Sequence, residues 1–146
     1  MESTALDATD FRIVGLLAGD GRMTFAALGA EVGLSPHGAA DRVRRLLAGG
    51  VITGFTARVD QARIGRSLDA FIDVRLSATT PPERFEQGVL ALDAVREVAF
   101  VTGRFDYQLR VACRDADDLD RTVRALRAEH GAAHTETRIV LRDAGR

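Results

Sequence analysis

The sequence predicts an α+β protein in two parts, because the spacing of its apolar residues changes part-way along the chain. The first fifty residues hold three helix-start signals in succession, each followed by apolar residues at helical spacing. From residue 68 the apolar period falls to two, which is typical of a strand with one buried face, and helical segments then alternate with strands. Residues 61–67 follow neither pattern and are predicted to be a linker. We expect one domain over residues 1–60 and a second over residues 68–146.

Each of the three N-terminal helices is expected to begin at a residue whose side-chain oxygen caps free backbone N–H groups. Asp7, Thr24 and Ser35 stand at these positions. Pro36 follows Ser35 in the first turn, where its missing N–H costs nothing. Gly33 is placed to end the second helix.

The second and third helices are joined by a short turn, which is the helix-turn-helix pattern. Residues 51–60, VITGFTARVD, are rich in β-favouring residues and contain Gly54 as a turn residue, so a short hairpin is expected there. A hairpin after the third helix would make this domain a winged helix-turn-helix.

The third helix is predicted to carry a cationic face. The whole chain has a formal net charge of −1, yet residues 35–58 contain four arginines and one aspartate. A helical wheel gives an apolar side of Ala39, Val43, Leu46 and Leu47. The opposite side carries His37, Gly38, Asp41, Arg44, Arg45 and Ala48, with Arg42 at the flank. Such a helix can enter the major groove of DNA with its cations against phosphate. The alternatives are a merely solvated helix and, for Arg42, an internal ion pair.

The second domain is expected to follow the order strand, helix, strand, strand, helix, strand. The first strand covers residues 68–76. The next helix is predicted to be capped by Thr80 and to begin at Pro81. Its apolar side would consist of Phe85, Val89, Leu90 and Leu92. Two strands follow, joined through Gly103; a helix then begins at Asp115, and HTETRIVL forms the last strand. This order is the ferredoxin-like βαββαβ arrangement, with both helices on one face of a four-stranded antiparallel sheet.

The other face of that sheet is predicted to combine charged and apolar side chains. It would carry Phe71, Asp73, Arg75, Gln108, Arg110, Arg138 and Val140. A second copy of the sheet would cover this face and pair carboxylates with arginines across a two-fold axis. We therefore expect a homodimer; a solvated antiparallel face is the alternative.

Other functional classes find less support in the residues. No serine, cysteine or lysine stands beside a histidine with an orienting acid, so no enzyme is predicted. A metal-sensing winged-helix repressor would need ligands such as Cys113, His130, His134 and Glu136, which are few and scattered. An interaction protein that does not bind DNA is the remaining alternative. No apolar run approaches the ~18 residues of a membrane span, and the acidic N-terminus is unlike a signal peptide, so a cytoplasmic protein is expected.

Four segments, in order, resemble the leucine-responsive/asparagine-responsive (Lrp/AsnC, or feast/famine) regulators. They are LDATDFRIVGLLAGDGR at 6–22, LGAEVGLSPHGAADRVRRL at 28–46, GVITGFTARVD at 50–60 and VTGRFDYQLRV at 101–111. The resemblance implies a winged helix-turn-helix followed by a RAM-type effector-binding domain. As function it implies a transcriptional regulator that binds specific sequences of double-stranded DNA. It also implies dimers that assemble into tetramers or octamers, and an amino acid or related metabolite bound between dimers, without a cofactor or metal.

The resemblance also implies two sets of site residues. The DNA-binding set is Ser35, Pro36, His37, Gly38, Asp41, Arg42, Arg44 and Arg45. The effector-binding set is Val101, Thr102, Gly103, Arg104, Asp106 and Tyr107, with Thr135 and Thr137 from the last strand. Within it, a glycine lets backbone N–H groups approach a carboxylate, and Asp106 is suited to accept a hydrogen bond from an α-ammonium group.

Overall fold

Three capped helices form the first unit of the chain. The computed structural model describes residues 5–143 and divides the chain into units of residues 1–58 and 59–146. The helices of the first unit are α1 (Ala8–Gly19), α2 (Phe25–Val32) and α3 (Pro36–Ala48). The three expected caps are confirmed: the side chains of Asp7, Thr24 and Ser35 each accept a hydrogen bond from a backbone N–H of the first turn.

The core of the first unit combines side chains from all three helices. Its buried members are Ile13, Leu17, Leu28, Ala39, Val43 and Leu46. The expectation that Leu47 belongs to this core is wrong, because its side chain is 38% exposed. Leu47 lies about 100° around the helix from Leu46, at the edge of the buried stripe.

The wing predicted over residues 51–60 is not formed within the described chain. The structure assigns no strand to these residues, and Val51, Phe55 and Val59 are 42%, 52% and 52% exposed. A strand is stabilised by a ladder partner and by burial of one face. These residues have β-favouring side chains but neither source of stability, so the segment stays irregular. In the described part of the first unit, the structure is therefore a helix-turn-helix without a wing.

A four-stranded antiparallel sheet with two helices forms the second unit. After a short 3-10 helix (Ala62–Ile64) come β1 (Leu68–Leu76), α4 (Pro82–Leu90), β2 (Val95–Phe100), β3 (Tyr107–Cys113), α5 (Ala116–Ala128) and β4 (Ala132–Ile139). The strand order in the sheet is β2-β3-β1-β4. This element and strand order confirms the ferredoxin-like prediction.

The core of the second unit lies between the sheet and its helices. Alternate residues of β1, namely Ala70, Ile72 and Val74, are fully buried against Phe85 and Val89 of α4, among others. This alternation confirms the period-two prediction for the first strand.

The start and the apolar side of α4 differ from the prediction. The N-cap is Pro81, without a side-chain hydrogen bond, whereas the Thr80 hydroxyl contacts Ser77 and donates to the carbonyl oxygen of Gly131 at 3.4 Å. Thr80 is thus a bridge between two chain segments and not a cap. Leu90 is 65% exposed, so it does not belong to the buried side.

Ion pairs within one chain form on the outer sheet face. Arg110 binds Asp69 at 2.7 Å, and Asp73 accepts from Arg138 at 2.6 Å and from Gln108 at 3.0 Å. The expected carboxylate–arginine pairs therefore form between neighbouring strands of the same sheet, without a second copy. In the part of the chain that the structure describes, no helix is long and apolar enough to cross a membrane.

Candidate DNA-binding helix and effector loop

The outer side of α3 presents one arginine that no carboxylate of the described residues binds. Arg44 donates to Asp41 at 2.6 Å, and the His37 ring lies 3.3 Å from the same carboxylate. The Arg45 side chain is exposed, and its guanidinium has no hydrogen bond or ion pair within residues 5–143. An unpaired exposed guanidinium keeps all its donors for an incoming anion such as phosphate, or for a guanine edge.

Arg42, also on α3, is bound inside the unit. Its Nη1 donates to Asp7 at 2.5 Å and to Asp10 at 2.9 Å, and its side chain is 24% exposed. The hydrogen bond to Asp7 raises the pKa of Arg42, and the same bond holds the pKa of Asp7 below its ordinary value. Arg42 therefore ties α3 to the start of α1, which is the structural alternative expected for this residue, and its role in DNA binding stays a prediction.

The N-terminus of α3 is fixed by its turn. The Ser35 Oγ accepts from the backbone N–H of Gly38 at 3.1 Å, and the Leu34 N–H donates to the Gly29 carbonyl at 2.8 Å. A Cβ on Gly29 would lie 2.5 Å from the Leu34 carbonyl oxygen. This contact was not predicted from the sequence, because its one local signal is a glycine inside a helix, where glycine is unfavourable.

The loop between β2 and β3 presents free backbone N–H groups. The Val101 N–H donates to the Asp106 carbonyl, and the Asp106 N–H donates to the Val74 carbonyl, both at 2.9 Å. Gly103 has φ of 118°, which L side chains rarely adopt. Between these two bonds, no backbone N–H of residues 102–105 finds an acceptor within residues 5–143. Successive free N–H groups are suited to bind a carboxylate.

Asp106 also has a structural task. Its Oδ2 accepts from the Leu76 N–H at 2.7 Å, beside the irregularity between Arg75 and Leu76 where the pairing of β1 with β4 shifts. One carboxylate oxygen is thus used to hold β1. The other oxygen, Oδ1, has no protein partner within the described residues.

The predicted effector residues Tyr107 and Thr135 lie in the interior. Tyr107 is 1% exposed, and its ring centroid lies 4.8 Å from that of Phe85. Its hydroxyl donates a hydrogen bond to the Glu86 carboxylate at 2.7 Å. Burial, followed by the Glu86 hydrogen bond, raises the pKa of Tyr107 to about 12. Thr135 is 8% exposed, and its hydroxyl accepts from Arg127 at 3.0 Å. Both side chains are thus buried in this chain, Tyr107 in the core and Thr135 at a bond between β4 and α5, and their assignment to the effector site stays a prediction.

The remaining predicted effector residues are accessible around the loop. Thr102, Gly103, Arg104 and Thr137 are exposed, and Val101 is half-buried. Besides the backbone of Val74 and Leu76, three side chains that the prediction did not assign to the effector site contact this loop: Arg75, His134 and Glu136. Their contacts join the loop to strands that are distant in sequence, which is why local patterns did not reveal them.

The proposed metal ligands do not converge. Within residues 5–143, no group of three or more His, Cys, Asp or Glu side chains is placed to hold a metal ion. Glu136 is bound by Arg104 at 3.1 Å, and the His134 ring stacks on Phe105. Cys113 is fully buried at the far end of β3.

A cavity of about 240 Å³ lies at the opposite end of the sheet from the loop. Its arginines already have carboxylate partners: Arg66 binds Asp93, while Arg114 and Arg121 both bind Asp118, at 3.1 Å and 3.3 Å. The Arg114 hydrogen bonds hold the pKa of Asp118 well below its ordinary value. The cavity is thus lined by an ion-pair cluster near the start of α5, and its guanidinium groups are less available than that of Arg45.

Sequence comparison matches both units to known families. Residues 6–47 match the AsnC-type helix-turn-helix domain, and residues 69–144 match the Lrp/AsnC ligand binding domain. The chain belongs to the Lrp/AsnC family. This Lrp/AsnC protein is a DNA-binding transcriptional regulator and not an enzyme.

Individual relatives agree with this assignment over most of the chain. The regulator is 40% identical over 138 residues to the HTH-type transcriptional regulator AldR of Mycobacterium tuberculosis, covering 92% of this chain and 77% of that protein. It is 37% identical over 112 residues to the leucine-responsive regulatory protein of Escherichia coli K12, covering 75% and 68%. Among solved structures, the transcriptional regulator NMB0573 of Neisseria meningitidis, in complex with L-Met, aligns with a TM-score of 0.90 and 27% identity over 97% of this chain and 94% of that one.

Proposed function

We propose that the regulator recognises specific DNA sequences through α3, with Arg45 as its principal cationic contact. The observation that carries the proposal is the pairing of the three α3 arginines: Arg42 and Arg44 bind carboxylates, whereas Arg45 has no partner within residues 5–143. Ser35, Pro36, His37 and Gly38 lie in the first turn, which a recognition helix directs toward base edges. Asp41 neutralises Arg44 or accepts from a cytosine amino group.

We propose that two copies bind together as a homodimer, within tetramers or octamers. A single recognition helix covers one half-site, and dimers of this motif bind two half-sites about one helical turn apart. Exposed apolar side chains of the second unit support assembly through this unit, among them Phe100 and Ile139 at 71% and 53% exposure. We place the DNA-binding domain at residues 1–60, the linker at 61–67 and the effector and assembly domain at 68–146, in a cytoplasmic protein.

We propose that the second unit binds an amino acid or a related metabolite, without a cofactor, at the loop of residues 101–106. The free N–H groups of residues 102–105 would bind the carboxylate, and Oδ1 of Asp106 would accept from the α-ammonium group. Thr137 would complete the site from a neighbouring subunit. The L-Met complex of the Neisseria regulator supports an amino acid as the ligand class.

The DNA proposal is tested with a site selected from a random DNA library. If Arg45 binds a guanine, Arg45→Ala should weaken DNA binding by about 1–3 kcal/mol, which is about 5- to 150-fold. If Arg45 contacts phosphate, the variant should instead reduce the salt dependence of DNA binding. Arg44→Ala is the matched control, since Arg44 is already paired and should matter less. Wild-type affinity and salt dependence in Arg45→Ala would refute the assignment.

The effector proposal is tested by calorimetric titration with each of the twenty protein amino acids. Asp106→Asn is the informative variant, because an amide oxygen can still accept from the Leu76 N–H while the charge for an ammonium group is removed. We expect this variant to lose affinity for the amino acid that binds the wild type and to keep its affinity for DNA. Unchanged amino-acid affinity would contradict the role of Asp106.

A further inference from the structure

Arg75 holds the loop of residues 101–106 through one carbonyl group. Its side chain lies on β1, and its Nε donates to the carbonyl oxygen of Arg104 at 2.9 Å. Its Nη2 donates to the same oxygen. Two donors of a planar guanidinium on one acceptor restrict both the position and the direction of that carbonyl.

The direction of the Arg104 carbonyl sets the direction of the next N–H. In a trans peptide unit the C=O and the following N–H lie in one plane and point to opposite sides. No peptide bond of residues 5–143 is cis. Because Arg75 binds the Arg104 carbonyl, the Phe105 N–H points away from Arg75. This N–H belongs to the set that finds no acceptor within residues 5–143.

The side chains on either side of the peptide between residues 104 and 105 also contact β4. The Arg104 guanidinium donates to Glu136 at 3.1 Å and lies 4.9 Å from the centroid of the Phe105 ring. That ring is stacked on His134 with 6.0 Å between centroids. The peptide between residues 104 and 105 is therefore restrained by two neighbouring strands of the sheet.

We propose that Arg75 is a positioning residue of the effector loop, which orients the Phe105 N–H toward the carboxylate of the amino acid. The inference rests on the effector role proposed for the loop. Arg75 acts through the Arg104 carbonyl and does not touch the ligand. Preorganised donors bind more tightly than mobile ones, because ordering the loop then costs less on binding.

The test compares Arg75→Ala, Arg75→Lys and Arg124→Ala in the full chain. Arg124 is the control: it is an exposed arginine of the same unit that also has a partner, Asp120 at 2.9 Å, but it lies on α5 and contacts no residue of the loop. The first measurement is hydrogen exchange at the Val101 and Asp106 amides, which are protected by the hydrogen bonds at the two ends of the loop. The second is calorimetric titration with the amino acid that the wild type binds among the twenty protein amino acids. DNA affinity without amino acid is the third.

We expect Arg75→Ala to exchange faster at both amides and to bind the amino acid about three- to tenfold more weakly, as for one lost hydrogen bond. Arg75→Lys keeps a cationic donor group but not the planar pair of donors, so it should recover only part of the affinity. Arg124→Ala and the DNA affinities of all variants should match the wild type. Wild-type exchange in Arg75→Ala would overturn the proposal, and so would wild-type affinity despite faster exchange. If the wild type binds none of the amino acids, the effector assignment of the loop fails and the positioning role fails with it. If the wild type binds one and Arg75→Ala binds it equally, only the positioning role fails.

Discussion

Replacing Gly29 with alanine tests whether close packing fixes the turn before α3. Gly29 lies in α2 and is buried, and an added Cβ would lie 2.5 Å from the Leu34 carbonyl oxygen and 3.1 Å from that of Ser35. Both obstacles are backbone atoms, so no side chain can rotate away. The turn itself must move, and it carries the cap of α3.

The expected sign follows from two opposing contributions. Alanine is favoured over glycine inside a helix by about 1 kcal/mol. Inserting a methyl group into a packed contact costs about 1–3 kcal/mol, and the upper part of this range applies where backbone must shift. We therefore expect Gly29→Ala to lower the free energy of unfolding of the first unit by about 1–2 kcal/mol. DNA affinity should also fall, because the displaced turn moves Ser35 and the first turn of α3.

Gly15 provides a matched control in the same unit. It is exposed in α1, and a Cβ there would meet nothing within 4 Å. Gly15→Ala should therefore stabilise the unit by about 0.5–1 kcal/mol. Native-state hydrogen exchange at amides of α1–α3 reports this unit separately from the sheet. If Gly29→Ala proves as stable as Gly15→Ala, the close contact between α2 and the turn is not a constraint, and the argument is refuted.

Three further predictions concern stability. Gly88→Ala should lower the free energy of unfolding of the second unit by about 1–3 kcal/mol, because the added Cβ would lie 2.9 Å from the Cε1 atom of His130. Adding His130→Ala should restore most of this loss, and a double variant as unstable as Gly88→Ala would contradict the predicted clash. The pKa of Tyr107 is raised from 10.0 to about 12, so the contribution of its neutral form to stability is complete below pH 10 and is lost as the pH rises through 12. The free energy of unfolding of Tyr107→Phe, measured in urea, should therefore depend less on pH in this window than that of the wild type. Arg42→Ala should lower the free energy of unfolding of the first unit, since it leaves buried Asp10 without its arginine partner, while the salt dependence of DNA binding stays unchanged; a smaller salt dependence than in the wild type would show that Arg42 contacts DNA.

Features set by neighbours in sequence were predictable from the sequence. The caps at Asp7, Thr24 and Ser35 each depend on a bond to an N–H three residues ahead, and all three are present. The alternation of β1 likewise needs only one buried face, which its apolar residues supply. Such local signals were sufficient for the element order and hence for the ferredoxin-like unit.

Features set by distant partners were not predictable in the same way. Thr80 has the residue type of a cap, but its hydroxyl is engaged with Ser77 and with the carbonyl of Gly131, more than fifty residues away. Residues 51–60 have strand-favouring composition, but propensity alone does not supply a ladder partner. The role of Arg75 depends on a carbonyl group, which no side-chain pattern marks.

The availability of Arg45 follows from the spacing of acids on α3. The chain has almost equal numbers of basic and acidic residues, 20 and 21, so an arginine stays free only where geometry denies it a carboxylate. On a helix, side chains three or four positions apart meet, and the one acid at such a distance from Arg45 within α3 is Asp41. Asp41 instead binds Arg44, three residues ahead, and lies beside His37. The helix thereby neutralises one cation and leaves the next one exposed, which concentrates its positive charge at a single position instead of spreading it along the face.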